Sequence, residues 1–323
     1  MERRGFLGAL TAASLGVGVK NSFTEFGRAR NSAQAGSGLA GRASKMGEFT
    51  QNSTIILVHG AWADGSCWRN VILPLEQREL RVICAPIPLT SLTDDAAALS
   101  RALERTSGPV VLVGHAYAGA VIAAVREDRV KSLVYIAALA PDEGETVSKV
   151  FYRDAPHPEA PKLAPDSHGF IWMPQDGFRR AVAHKASADQ TNIAAALQRP
   201  IAVQCIQEPA PTPAWRTKPS WYLLAEEDRM INPKTQRFMA ERMGARVQSH
   251  ALDHSPMYTK PNHVIDVILD AARQTLSRYG KRTQSLLRRG DSMSGTKSVA
   301  IVTGASWMTG ASVRMDGGEI KGI

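Results

Sequence analysis

Four stretches of this chain hold residues whose types and order suit acyl-transfer chemistry, and one of them lacks an atom that this chemistry needs. The first is Gly114-His115-Ala116-Tyr117-Ala118. It follows the apolar run Val110 to Val113 and precedes an Ala-rich stretch. Strand, sharp Gly-flanked turn and helix describe a nucleophile elbow, which holds a Ser hydroxyl exposed on a strained bend. Ala116 stands at that position, and a methyl group cannot attack a carbonyl. The second stretch is Ala225-Glu226-Glu227-Asp228-Arg229, behind the apolar run Trp221 to Leu224. A carboxylate at a strand end can hold an imidazole in its useful tautomer. Asp228 is the candidate over Glu226 and Glu227, because a shorter side chain is placed more tightly. The third is Leu252-Asp253-His254-Ser255-Pro256, where His254 is the candidate base. The fourth, His59-Gly60-Ala61, offers the Ala61 N–H, with the Tyr117 N–H as second donor to a developing oxyanion. One such donor contributes about 2.7–4 kcal/mol. Each stretch also has a plainer reading: a turn, a solvated acidic loop, a structural histidine.

These residues need elements to place them. Apolar runs predict strands over 54–59, 81–85, 110–113, 132–137, 220–225 and 246–251. Helical patterns fall between them, over 68–77, 94–105, 118–127, 234–243 and 261–277. Strands separated by helices imply an α/β fold, a mostly parallel, doubly wound sheet with right-handed crossovers. In such sheets the site lies beyond the carboxyl ends of the strands, where all four stretches fall. Residues 141–219 interrupt the alternation and are rich in Pro, Ala and aromatics, among them Phe170, Trp172, Phe178 and Trp215. Helices are expected over 176–184 and 189–197. The insertion reads as a small helical lid offering apolar walls to a small molecule.

The composition excludes some functions. The net charge of +9 over 323 residues is confined to the ends. Residues 1–46 and 278–323 each carry net +5, while 47–277 carry −1. A polyanion-binding face on the core is therefore not expected, nor a nucleic-acid partner. Cys67, Cys84 and Cys205 show neither metal-ligand spacing nor a disulfide framework. No cofactor and no metal is expected. His59 and His115 are read as structural at their turns, and His157, His168, His184, His250 and His263 have weaker claims than His254.

Residues 53–277 resemble the bacterial α/β-hydrolase family of small esterase-like proteins. The resemblance rests on His59-Gly60-Ala61 with Ala63-Asp64-Gly65-Ser66, on the elbow followed by Gly119, on Pro88-Leu89-Thr90-Ser91-Leu92, and on Asp253-His254. Plant hydroxynitrile lyases and esterases are similar more distantly. The resemblance implies an α/β-hydrolase fold, an oxyanion hole at Ala61 and Tyr117, an acid at Asp228 and a base at His254. The chain departs from the pattern at Ala116, where the family has Ser, and at Ala118, where Gly is usual and a methyl group would crowd the turn.

Losing the nucleophile alone can cost about 10⁶ in kcat, roughly 8 kcal/mol of barrier. Ser66 and Cys67 are the nearest replacements in sequence but belong to another loop. The expected function is an esterase-like protein that acts on or binds a small ester-like molecule, inactive or very weak with Ala116 in place. A ligand-binding pseudoenzyme and a His–Asp general-base enzyme stay open as alternatives. Some cofactor-free dioxygenases of similar fold use such a dyad.

The ends read separately. Arg3-Arg4-Gly5-Phe6-Leu7 and the apolar run to Val19 resemble a twin-arginine export signal, with Ala33-Gln34-Ala35 as a cleavage site and linker to residue 46. That run is too short to span a membrane. Export to the periplasm follows; a start at Met46 would instead leave the protein cytoplasmic. Residues 278–294 read as a basic linker. Lys297 to Ser306 and Trp307 to Gly318 resemble the two ends of a short-chain dehydrogenase with its middle absent, a remnant rather than an NAD(P) site. An oxidoreductase reading rests on that tail alone.

Overall fold

The computed structural model describes residues 48–277. The export-signal and dehydrogenase-like readings, with their linkers, lie outside the described residues. The apolar runs form β1 (Thr54–Val58), β2 (Arg81–Ala85), β3 (Val110–His115) and β4 (Val130–Ile136). Two-residue strands follow in the insertion, β5 (Phe170–Ile171) and β6 (Ile201–Ala202), then β7 (Ser220–Ala225) and β8 (Arg246–His250). The main sheet has the order β2-β1-β3-β4-β7-β8 and all its pairs are parallel. Every residue of β1 and β3 is buried, as central strands covered on both faces must be.

Between the strands lie α1 (Arg69–Glu76), α2 (Leu92–Glu104) and α3 (Ala118–Ala124). The insertion adds α4 (Val147–Phe151), α5 (Gln175–Gly177), α6 (Ala188–Ala196) and α7 (Val203–Gln207). The chain then forms α8 (Pro233–Arg242), α9 (Pro256–Thr259) and α10 (Pro261–Leu276). Val71 and Leu75 of α1 pack with Val264, Ile268 and Ala272 of α10 under one sheet face. Leu99 of α2, Val121 of α3 and Met239 of α8 cover the other. The Ser91 side chain caps α2 by accepting from the Asp94 N–H, at 2.9 Å.

Strand order places the site. The chain leaves β1 for β2 on one side and returns to β3 on the other, so the order reverses between β1 and β3. Val58 pairs with Gly114, which brings the two following turns side by side. The insertion departs most from expectation. Helix over 176–184 becomes the short α5 and a π-turn, Phe178–Val182, while α4, α7 and the β5–β6 ribbon carried no clear pattern. α3 ends at Ala124, because Val125 turns extended ahead of the charged run Arg126 to Arg129. Among the described residues no helix is long and apolar enough to cross a membrane.

Candidate active site

At the end of β3 the backbone bends through Ala116, whose φ of +51° lies in the left-handed region. That conformation costs an L-residue about 1–2 kcal/mol. It persists because neighbours fix it. The Ala116 N–H donates to the Ile136 carbonyl at 3.3 Å, and its own carbonyl accepts from Gly119 at 3.1 Å and Leu139 at 2.9 Å. The bend needs glycine on both flanks. A Cβ on Gly114 would lie 2.7 Å from the Ala118 carbonyl oxygen, and one on Gly119 would lie 2.3 Å from that of Leu139. Ala118, which opens α3, has its side chain fully buried beside this turn. The intolerant position is the next one. Gly60 abuts the same spot, since a Cβ there would stand 3.0 Å from the Ala116 methyl and 3.1 Å from His115 Nδ1.

Asp228 and His254 meet. His254 Nδ1–H donates to Asp228 Oδ2 at 2.8 Å, with both residues buried. Asp228 is held on every side. Its Oδ1 accepts the N–H groups of Met230 at 2.7 Å and Ile231 at 2.9 Å, and its Oδ2 also accepts Gln236 Nε2 at 2.8 Å. Backbone bonds from Glu226 to His250 and from Glu227 to Leu252 tie the acidic turn to the histidine loop. With the proton on Nδ1, His254 Nε2 keeps its lone pair and makes no hydrogen bond among the described residues, and His254 lines the cavity. Glu226 and Glu227 are engaged elsewhere: Glu226 accepts from the Ser249 hydroxyl, and Glu227 pairs with Lys185 at 2.7 Å.

Two further histidines are structural in their contacts. His115 Nε2–H donates to the His254 carbonyl at 2.8 Å. Burial, reinforced by the neighbouring His254, pushes its pKa down to about 3, so the ring is neutral. His59 Nδ1–H donates to the Gly60 carbonyl at 3.0 Å, and burial lowers its pKa to about 4. Sequence reasoning did not single out Gln236. Its only signal was a polar side chain on the inward face of α8, where it is fully buried.

Ala61, Ala116, Tyr117 and His254 all line one cavity of about 260 Å³. The N–H groups of Ala61 and Tyr117 have no acceptor among the described residues. The insertion supplies much of the wall, including Val147, Phe151, Phe178 and Ile206. Of the four aromatics named in the insertion, Phe178 lines the cavity; Trp172 is exposed and Trp215 packs in the core. Among the described residues no Lys, Arg, Asp or Glu lines it. Ser66 is absent from the lining, its hydroxyl held by Asp64 at 2.5 Å. Cys67 does reach it, but burial pushes its thiol well above the usual range. Among the described residues no three His, Cys, Asp or Glu gather as metal ligands.

Comparison with known proteins agrees with this architecture. The sequence model of the alpha/beta hydrolase family matches residues 55–266. Alpha/beta hydrolase nvfD of Aspergillus novofumigatus is 23% identical over 245 residues, covering 69% of this chain and 97% of that protein. A pyrethroid hydrolase from Sphingobium faniae JZ-2 superposes with a TM-score of 0.61 at 23% identity, over 68% of this chain and 97% of that one. Polyneuridine aldehyde esterase does so with a TM-score of 0.60 at 16% identity, over 68% and 99%. A parallel sheet with its bend after the third strand, matched by the family model over residues 55–266, places this chain in the alpha/beta hydrolase family.

Proposed function

We propose that this chain is an esterase-type member whose cavity binds a small, uncharged, largely apolar carbonyl compound, and that Ala116 closes the covalent route. The observation carrying this is the Asp228–His254 pair at 2.8 Å, whose free nitrogen shares a cavity with Ala116 on a left-handed bend. The absence of charged lining supports a neutral ligand. The names of the similar proteins, a pyrethroid hydrolase and an aldehyde esterase, support small esters.

In this reading the ligand's carbonyl oxygen rests on the N–H groups of Ala61 and Tyr117. A Ser at residue 116 would attack the carbonyl carbon, and His254 Nε2 would take its proton while Asp228 steadied the imidazolium. His254 would then return the proton to the leaving alcohol, and water would release the acyl group by the same route. With Ala116 only binding and the oxyanion donors remain. A p-nitrophenyl ester of a short fatty acid tests this. The chain with Ala116 should turn over little faster than its His254→Ala variant, and Ala116→Ser should raise kcat by about 10³–10⁶. Appreciable turnover with Ala116 that survives His254→Ala contradicts the proposal.

A second reading rests on the same Asp228–His254 pair, which is complete without a hydroxyl at residue 116. The dyad would then act as a general base on water or on an acidic substrate proton. It predicts slow turnover with Ala116 that vanishes in His254→Ala and shows no burst.

A further inference from the structure

A buried carboxylate outside the dyad gathers three donors from three separate segments. Asp95, on α2, is fully buried. Its Oδ1 accepts the Leu89 N–H at 2.7 Å. Its Oδ2 accepts the Tyr117 hydroxyl at 2.7 Å and the Cys205 thiol at 3.7 Å. Among the described residues no salt bridge reaches it, and burial raises its pKa to about 6 despite the three donors. Burying an unpaired carboxylate is costly. Where the chain retains one, the contacts it organises deserve a functional explanation.

Those contacts converge on the candidate site. Tyr117 follows Ala116 directly, and its backbone N–H is one of the two proposed oxyanion donors. Tyr117 is buried and is one of the residues lining the cavity. Cys205 lies on α7 in the insertion, flanked by the cavity-lining Val203 and Ile206. Leu89 has a φ of +63°, and its carbonyl accepts the Ala202 N–H of β6 at 3.0 Å. The turn after β2, the elbow and the insertion are thus joined through one side chain. The peptide that carries the Tyr117 N–H is held from its other side, where the Ala116 carbonyl accepts from Gly119 and Leu139, and the Tyr117 carbonyl accepts the Ala120 N–H at 3.0 Å. The ring, bonded to Asp95, adds a side-chain hold on the same turn.

We propose that Asp95 is a positioning residue of this site: by holding the Tyr117 hydroxyl it braces the turn that presents the Tyr117 N–H to the oxyanion, and through Cys205 and Leu89 it seats the insertion on the elbow. The catalytic half of this rests on the esterase reading above; the seating half does not.

The test uses two readouts on the full chain. In the Ala116→Ser background, Asp95→Asn and Tyr117→Phe are each compared with the parent on a p-nitrophenyl ester, with melting curves confirming folding. Each should lower kcat about ten- to a hundredfold, as a misaimed oxyanion donor does, and leave KM within about twofold. The pair together should lose no more than either alone, because both break one link. Independent multiplication of the two losses, or an unchanged kcat in a folded Tyr117→Phe, overturns the catalytic half. With Ala116 in place, hydrogen exchange compares the chain with Asp95→Asn. Protection should fall at 117–119 and 203–207 and hold in β1 and β3. Equal protection overturns the seating half. If Ala116→Ser proves inert, the esterase reading fails and takes the catalytic half with it, while the exchange result still decides the seating.

Discussion

Asp228 shows how one side chain is singled out from three neighbouring carboxylates. Its four hydrogen bonds use both oxygens, and Gln236 bridges it to the Ile231 carbonyl while accepting from the Ala225 N–H. Glu226 and Glu227 lie at the surface and bond elsewhere, to Ser249 and Lys185. Gln236 itself was illegible, for a glutamine in a charged helix looks like a solvated one. In an Ala116→Ser background, Asp228→Asn should cost about 10⁴ in kcat by favouring the wrong imidazole tautomer. Gln236→Leu should cost less, about tenfold, by loosening the carboxylate it holds. An unchanged kcat would show that the glutamine only fills space.

The elements differ in how far their sequence announces them. β1, β3 and β7 are short apolar runs between helical patterns, so strand and order could be read before any contact was known. Residues 141–219 could not be read so, because their short helices and two-residue strands carry too few turns for a period to show. The elbow lies between these cases. Its Gly114-x-Ala116-x-Ala118 spacing announced the bend, but the packing that enforces it is carried by Gly119 against the Leu139 carbonyl. Gly119→Ala should therefore destabilise the protein by about 1–3 kcal/mol, opposite to the usual gain for Gly→Ala in a helix. A urea titration measures it; an unchanged or raised midpoint would mean that α3 can shift away from β4.

Across the whole molecule, three buried titratable groups set the response to acid. His59 and His115 are held neutral, with pKa values lowered by burial to about 4 and about 3 from 6.5. Below pH 6.5 the unfolded chain takes up these protons and the folded chain does not. Each histidine then removes up to about 1.4 kcal/mol of stability per pH unit. Asp95 works the other way, since its pKa is raised by burial from 3.8 to about 6. Its stabilising contribution is present at low pH and is lost as pH rises through about 6. Two groups against one predict a urea midpoint that falls between pH 6.5 and 4.5, and falls more steeply in Asp95→Asn. A midpoint flat over that range would mean that the histidines are not held neutral. These three groups govern the scaffold, whereas residue 116 governs whether a nucleophile is present. Intact-mass measurement after treatment with a fluorophosphonate reads that nucleophile. The account predicts no adduct on the chain with Ala116, one adduct at residue 116 in Ala116→Ser, and its loss when His254→Ala is added. An adduct on the Ala116 chain, or none on a folded Ala116→Ser variant, would contradict it.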